Sequence, residues 1–417
     1  MLRRLKVALA LTLCLLVTVA SVPLSASAAV YGDLNGDNKM NTQDALLLFN
    51  NASGTITLSS SQKIAADLNE DSRIDMTDAA MLYQKASGVD TGPVHPHVRA
   101  GITSESTYMK NIKVVNKTTG KTFTGSTKAN LQKAVAEVVK YEVGMSTFGR
   151  KSDEAWKAFA VAAYTLLAKH CYYGSAYNIW MSNDLDLTNT TDRRIYDAVG
   201  EVLGIKVAYN TSSKSAYNQL CDMYYSASSA GVTCSTLTAW GYTYLEYMPV
   251  VESKYDTDAW IDYYSGGISS HTNSFSISMT ELLSCVAKWM DEDKIYYDKV
   301  SGQFSLYPIH KDGPYWAYSN LYYINSQNQK MYITGLDIYH AINSYGKPHC
   351  YSHAMTVLRE SNGTLTIQTK GEGHGIGISQ YGAAGYANEA GWTYDQILAH
   401  YLGITNKTSW GLVGPKW

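Results

Sequence analysis

The sequence predicts an α+β protein in two parts: a small all-α module of paired loop–helix units, then a larger α+β domain. Three observations predict it. A twelve-residue pattern occurs twice, as DLNGDNKMNTQD from Asp33 to Asp44 and DLNEDSRIDMTD from Asp67 to Asp78, and an apolar helical stretch follows each copy. Beyond residue 105, short β-branched stretches and helical periodicities follow one another in no regular βα order, which suits α+β rather than a doubly wound sheet. Apolar residues make up 45% of the chain, ample for a large core.

The chain opens on a basic MLRRLK followed by the apolar stretch VALALTLCLLVTVASV, and Ala26-Ser27-Ala28 fits the small-residue cleavage rule. Residues 1–28 therefore read as a signal peptide. No later segment reaches the ~20 apolar residues that a span requires. The mature chain is expected to be secreted, extracellular and without a membrane span.

Residues 29–88 carry the repeat. Oxygen side chains recur at positions 1, 3, 5, 9 and 12 of each copy: Asp33, Asn35, Asp37, Asn41 and Asp44, then Asp67, Asn69, Asp71, Asp75 and Asp78. Position 7, Lys39 or Arg73, offers a backbone carbonyl. Six to eight hard oxygens wrapped by one short loop are what calcium needs, so two Ca2+ are expected. The loops depart from an EF-hand. Position 12 is Asp, not a bidentate Glu, position 6 is Asn38 or Ser72, and the first loop starts too early for an entering helix. Ala45, Leu46, Leu48 and Phe49, then Ala79, Ala80, Leu82 and Tyr83, give the helices that follow. This duplicated loop-then-helix arrangement resembles the dockerin module. The resemblance implies binding to a cohesin domain of a scaffoldin in a cell-surface multi-enzyme complex of the cellulosome type. Loop positions 10 and 11 carry much of that family's recognition; here they are Thr42-Gln43 and Met76-Thr77, so the two faces differ chemically. A module this small has little core, and metal is expected to supply much of its folding energy.

Residues 89–104 read as a linker, a semi-extended tether holding two prolines and two histidines in GVDTGPVHPHVRAG. The domain from 105 to 417 then begins with a hairpin in KNIKVVNKTTGKTFTG. A helix follows in ANLQKAVAEVVKYEVG, with Leu131, Val135 and Val138 on one stripe and Gly144 as a stop signal. Ser152 or Asp153 caps a second helix, DEAWKAFAVAAYTLLAKH, whose Ala155, Ala158 and Ala162 let a neighbour approach closely. RRIYDAVGEVLG reads as a helix, KVAYN and CDMYYSAS as strands, and MTELLSCVAKWMDED as a helix in a polar, Tyr-rich stretch. MYITGLDIYHAIN reads strand-turn-helix, TLTIQTKG as a strand, and TYDQILAHYLG as the last helix.

Composition narrows the function. Net charge of -2 leaves no nucleic-acid footprint. After the signal, Cys171, Cys221, Cys234, Cys285 and Cys350 form no CxxC pair and an odd set, so they read as buried small side chains rather than a disulfide framework or zinc site. Tyrosine is abundant, 34 against 6 phenylalanines, and phenols suit a groove where sugar rings stack and hydroxyls need partners.

Two segments carry chemistry. Glu142 occupies the next position of the Leu131–Val135–Val138 stripe, while Glu137 is expected to point away from it. Burial and the negative end of the helix dipole both favour its protonated form, as a general acid requires. The second segment, GEGHGIGISQYGAAGYA from Gly371 to Ala387, spaces four glycines around His374 and then sets Ser379, Gln380 and Tyr381 in a row. It can line a pocket; it lacks the Lys-Ser/Thr ending of a phosphate loop.

VVKYEVG, EAWKAFAVAAYT, YYSASSAGVT and GEGHGIGISQYGA, in that order across residues 128–410, resemble the stage II sporulation protein D (SpoIID/LytB) family. The resemblance implies lytic transglycosylase action on peptidoglycan glycan strands, cleaving between N-acetylmuramic acid and N-acetylglucosamine to leave a 1,6-anhydro end. It implies Glu142 as the acid, and His374, Ser379, Gln380, Tyr381, Ser228, Ser229 and Thr233 as substrate-binding residues. The chain departs from the family at Glu142-Val143-Gly144, where a Met-Pro turn is usual, and at Tyr164 and Tyr339, where arginines are common. Some members hold zinc through Cys and His between the second and third motifs; residues 175–200 contain neither, so no zinc is expected. Two alternatives stand beside this reading. One is a non-catalytic wall-binding or amidase-enhancing module. The other is a dockerin-borne glycoside hydrolase on plant polysaccharide, which needs a second carboxylate such as Glu154 or Glu372.

Overall fold

The structure, a computed structural model, describes residues 32–37, 39–68, 73–88, 92–143, 153–241, 244–258, 271–298 and 306–417. The signal segment 1–28, loop residues Asn38, Asn69, Asp71 and Ser72, and the punctuation expected at Gly144 and Ser152 lie outside the described residues. The chain divides into two compact units, residues 1–91 and 92–417. Among the described residues no helix is long and apolar enough to cross a membrane.

In the first unit, helices α1 (Thr42–Ala52), α2 (Ser60–Ala66) and α3 (Met76–Ala86) close on a small core around Leu34, Leu48, Leu58, Leu68 and Leu82. The two expected helices begin alike. Asn41 caps α1 and Asp75 caps α3, each in a capping box with the loop's position-12 aspartate. That aspartate is buried in both loops. Asp44 accepts from Leu34 N at 2.9 Å, Asn35 N at 3.0 Å and Asn41 N at 2.9 Å, and Asp78 repeats the pattern with Leu68 N at 2.8 Å and Asp75 N at 2.9 Å. One carboxylate thus ties the start of each loop to the start of its helix. Helix α2 was not expected, although Ser59 and Gln62 form a capping box ahead of it.

The second unit starts inside the expected tether. Residues 92–104 lie along it: Gln396 Nε2 donates to Pro93 O at 2.8 Å, and Arg99 N donates to Leu412 O at 2.9 Å. This part of the tether is held because its backbone groups find partners at the chain's far end.

Helix α4 (Glu105–Met109) leads to the hairpin of β1 (Lys113–Asn116) and β2 (Thr122–Thr124), turned at Gly120 with φ of +75°. Helices α5 (Lys128–Val143) and α6 (Glu154–His170) form the centre, with β3 (Tyr177–Ile179) pairing parallel to β1. Next come α7 (Thr190–Glu201), β4 (Lys206–Tyr209), α8 (Ala216–Gln219), β5 (Tyr225–Ser226) and α9 (Thr236–Trp240). Ala155, Ala158 and Ala162 are fully buried, and α5, α7 and later helices press against α6. The strand expected over CDMYYSAS shrinks to β5, two residues long, because the only ladder offered to it is an equally short one.

A second core is built by β6 (Thr272–Ser278), α10 (Met279–Met290), β7 (Tyr296–Tyr297), β8 (Pro308–Asp312), β9 (Tyr315–Ile324), β10 (Lys330–Thr334), α11 (Gly335–Tyr345), β11 (Met355–Ser361) and β12 (Thr364–Lys370). Its sheets run β10-β9-β7, with β8 on β9, and β11-β12-β6. Of the first of these sheets only β10 had a counterpart in the expected elements, the strand read in MYITGLDIYHAIN. The chain then returns to the first core through β13 (Ile378–Ser379), α12 (Gln380–Glu389), α13 (Tyr394–Leu402) and β14 (Trp410–Val413); β13 pairs with β5 and β14 with β4.

Glu137 departs from expectation. It is fully buried and accepts from Leu185 N at 3.0 Å, because the chain after β3 covers the face of α5 that was expected to meet water. Burial pushes its carboxyl up to about 7.

Candidate active site

Helix α5 delivers Glu142 in its last turn, beyond the buried Val135, Val138 and Val139. Its carboxyl is half-buried and accepts a hydrogen bond from Tyr177 Oη at 2.8 Å. The parallel register Val114↔Tyr177 sets that phenol in place. Burial raises the Glu142 pKa above the ordinary carboxylate value, and the Tyr177 bond offsets part of the rise. Tyr177 itself is raised by its own burial and by the Glu142 charge, so it stays a donor. The buried Tyr225 ring bears on the same pair and meets Phe159 edge-on at 5.7 Å.

The terminal motif reaches this helix directly. Gln380 Nε2 donates to Glu142 O at 2.8 Å across 238 residues of sequence. A carbonyl in the last turn of a helix has no partner within the helix, and Gln380 supplies one. Gly371, Gly373, Gly375 and Gly377 all have positive φ. A side chain at Gly375 would strike the Tyr315 hydroxyl and one at Gly377 the Tyr224 carbonyl, so the motif runs where only glycine fits. Between them, His374 Nδ1 accepts from Ile376 N at 3.0 Å and its carbonyl meets His353 Nε2 at 2.9 Å. Burial, then the neighbouring His353, lowers the His374 pKa to about 4, which keeps the ring neutral. Its ring stands edge-on to Tyr224, 6.3 Å away, and Tyr224 adjoins the Tyr225 that flanks Glu142.

Several hydroxyls of the third and fourth motifs are bonded within the protein. Ser379 Oγ donates to Asp256 Oδ1 at 2.8 Å, and Ser229 Oγ donates to Asp256 Oδ2 at 2.6 Å. Thr233 Oγ1 donates to Pro249 O at 3.0 Å. Ser228 is buried and its backbone pairs with Glu372. Ser229 and Ser379 join the third and fourth motifs through Asp256, the Ser228 backbone joins them through Glu372, and Thr233 is bonded to the chain at Pro249. Gln380 and Tyr381 remain half-buried, with Tyr381 N donating to Ala227 O at 3.0 Å. Asp256 is an isolated acid in a polar stretch, with no local pattern to mark it. It is fully buried, and burial raises its carboxyl to about 6 against the pull of its serine bonds.

Of the acids expected as possible partners for Glu142, Glu154 has its carboxylate bonded elsewhere and Glu372 is paired through its backbone. Glu154 accepts from Lys157 Nζ at 2.8 Å and from Tyr394 N at 2.8 Å, while Glu372 bridges to Ser228 through its backbone. Burial raises the Glu142 proton affinity and the Tyr177 bond lowers it. The arrangement suits one proton donor held by a phenol, rather than a pair of facing carboxylates.

The loops of the first unit wrap their own amides. Asp33 Oδ1 accepts from Gly36 N at 2.7 Å, Asn35 Oδ1 from Asp37 N at 2.9 Å, Asp37 Oδ1 from Lys39 N at 2.9 Å, and Asn41 Oδ1 from Gln43 N at 2.8 Å. Asp75 Oδ1 matches Asn41 by accepting from Thr77 N at 2.8 Å. Among the described residues no three His, Cys, Asp or Glu side chains converge as a ligand set. The donors of the first loop, which include asparagines and the Lys39 carbonyl, are all oxygen, and that chemistry fits a hard cation. In the second loop Asp67, Arg73, Asp75 and Asp78 are described, while Asn69 and Asp71 are not.

Residues 31–85 match the dockerin type I domain. A 43-residue stretch is 51% identical to the stage II sporulation protein D of Bacillus amyloliquefaciens. That stretch covers 10% of this chain and spans 12% of the relative's length.

Proposed function

We propose that this protein is a peptidoglycan-cleaving lytic transglycosylase, carried by its dockerin domain into a cohesin-bearing extracellular complex. The hydrogen bond from Gln380 to the Glu142 carbonyl carries the reading. It joins the most distinctive motif of the chain to the helix end that bears Glu142, whose half-buried carboxyl accepts from a phenol.

In this reading Glu142 acts as acid and then as base. Its proton passes to the oxygen between N-acetylmuramic acid and N-acetylglucosamine as the C1–O bond breaks. The 6-hydroxyl of the muramic residue then bonds to C1, and its proton passes to the Glu142 carboxylate. The ring closes as a 1,6-anhydro sugar, no water is consumed, and the acid is restored. Burial keeps the proton on Glu142 before the step, and Tyr177 steadies the carboxylate formed during it. A single carboxyl suffices for this route, whereas hydrolysis usually employs two. Gln380, Asp256 and the serines bound to it act as positioning residues.

In the first unit, Asp33, Asn35, Asp37, the Lys39 carbonyl, Asn41 and Asp44 would hold one Ca2+, and Asp67, Asn69, Asp71, the Arg73 carbonyl, Asp75 and Asp78 the other. The cation would fix the loop that presents each helix. The outward faces of α1 and α3 expose Leu46, Phe49, Met76 and Tyr83, an apolar surface suited to a cohesin.

The test is Glu142→Gln against purified peptidoglycan. The parent releases soluble glycan fragments and the variant does not. A variant that cleaves as fast as the parent would remove Glu142 from the reaction, and a parent that binds glycan without cleaving it would favour a wall-binding role.

A further inference from the structure

Two open depressions adjoin the elements that carry the Glu142–Tyr177 pair. One, of about 960 Å³, is lined by Tyr141, the residue before Glu142, and by Trp180, three residues beyond Tyr177. The other, of about 330 Å³, is lined by His170, whose ring meets Tyr177 edge-on at 5.5 Å, and by Tyr173 and Tyr217. The first depression is thus linked to the pair by its chain neighbours, and the second through the His170 ring and then Tyr177.

Both display a large aromatic to solvent: Trp180 is 60% exposed and Tyr173 78%. Single exposed aromatics are ordinary on a protein surface. Here each of the two lines a concavity, and both concavities border the elements that carry Glu142 and Tyr177. They are also held in place. Tyr173 leans on Tyr172 at 5.0 Å and Tyr217 at 5.1 Å, and Trp180 directly follows β3, which is fixed to β1. A braced aromatic face offers apolar contact at little entropic cost, which suits the CH-rich face of a pyranose.

Charge narrows the ligand further. The lysines lining the two depressions are paired: Lys121 with Asp184 at 2.7 Å, Lys140 with Asp192 at 2.7 Å and Lys169 with Asp222 at 2.8 Å. Among the described lining residues no lysine is left over for a polyanion. Uncharged sugar rings, with hydroxyls at their edges, match such a surface better.

We infer that the two depressions form one glycan-binding tract, in which Trp180 and Tyr173 stack sugar rings on opposite sides of the bond that Glu142 protonates. The inference rests on the Glu142 reading above and names the residues that hold its substrate.

The test uses the full chain carrying Glu142→Gln, titrated by calorimetry with a β-1,4-linked hexamer of N-acetylglucosamine. Adding Trp180→Ala or Tyr173→Ala is expected to raise Kd ~tenfold each, a typical cost of losing an aromatic anchor. Trp180→Phe is expected to recover most of the loss, which a merely structural role for the indole would not require. Hexamer affinity unchanged by both alanine substitutions would overturn the tract. So would a parent that cleaves peptidoglycan while its Glu142→Gln form fails to hold the hexamer, and the catalytic reading would then stand alone. Conversely, hexamer binding lost through Trp180 and Tyr173, on a parent that releases nothing from peptidoglycan, would sustain the tract and remove the catalytic reading.

Discussion

At the scale of single residues, three buried or half-buried carboxyls differ in what reveals them. Glu142 follows from helical spacing, because the periodicity that identifies the buried stripe of α5 also carries it into the site. Glu137 and Asp256 do not follow from any local pattern. Glu137 is covered by the chain around Leu185, and Asp256 is enclosed by Ser229 and Ser379, which lie 27 and 123 residues away. Their environments arise only on folding. The Glu142 pKa makes a kinetic prediction. Tyr177 donates to the carboxylate and so lowers a pKa that burial has raised. Removing that bond in Tyr177→Phe should move the alkaline limb of kcat/KM to higher pH, and a limb that stays in place would dismiss the phenol's role. Glu137 and Asp256 make a stability prediction. Their folded pKa values, about 7 and about 6, lie above the unfolded values, so the native state binds more protons over that interval. Their share of the stability should therefore fall as pH rises from about 4 to about 7, opposed by His353 and His374, whose burial lowers them to about 4 and makes the unfolded state the better proton binder over the same interval. Urea midpoints of the parent and of Glu137→Gln separate the two: the parent's stability relative to the variant should decline toward pH 7, and a constant difference would contradict the Glu137 contribution.

Among elements, the first turns of helices and the glycine turns were the most predictable features. Asp44 and Asp78 sit at fixed offsets from the helices they start, and the terminal glycines mark a path that side chains would block. Strand partners were less predictable, since a strand's length depends on the ladder opposite it, as the two-residue β5 illustrates. Contacts between α4 and β4 were also hidden. Glu105 on α4 and Lys206 on β4 are both buried and paired, and Tyr164 of α6 donates to the same carboxylate. Lys206 Nζ also reaches Gly204 O at 3.2 Å. Lys206→Met strands the Glu105 charge in the interior and should cost about 3–5 kcal/mol of stability by urea unfolding. A loss below about 1 kcal/mol would show that the carboxylate finds water or a proton instead.

For the whole molecule, the two-part organisation was readable because each part has its own signature, duplicated loops in one and dispersed motifs in the other. The extent of the tether was not, since residues 92–104 gain their partners from the C-terminal strand and helix. The first unit's core is small: among the described residues it holds nine buried apolar side chains, five of them leucines. Calcium is accordingly expected to contribute much of its stability. Adding EDTA to the full chain should abolish cohesin binding and release helical circular dichroism, and calcium should restore both. Cleavage by the second unit should persist in EDTA. A spectrum and a cohesin affinity indifferent to EDTA would remove calcium from the account.

Mass spectrometry of the fragments released from purified peptidoglycan tests the central claim most directly. The account predicts glycan ends lighter by one water than reducing ends, present with the parent and absent with Glu142→Gln. Fragments bearing ordinary reducing ends, or anhydro ends that persist in the Glu142→Gln variant, would contradict it.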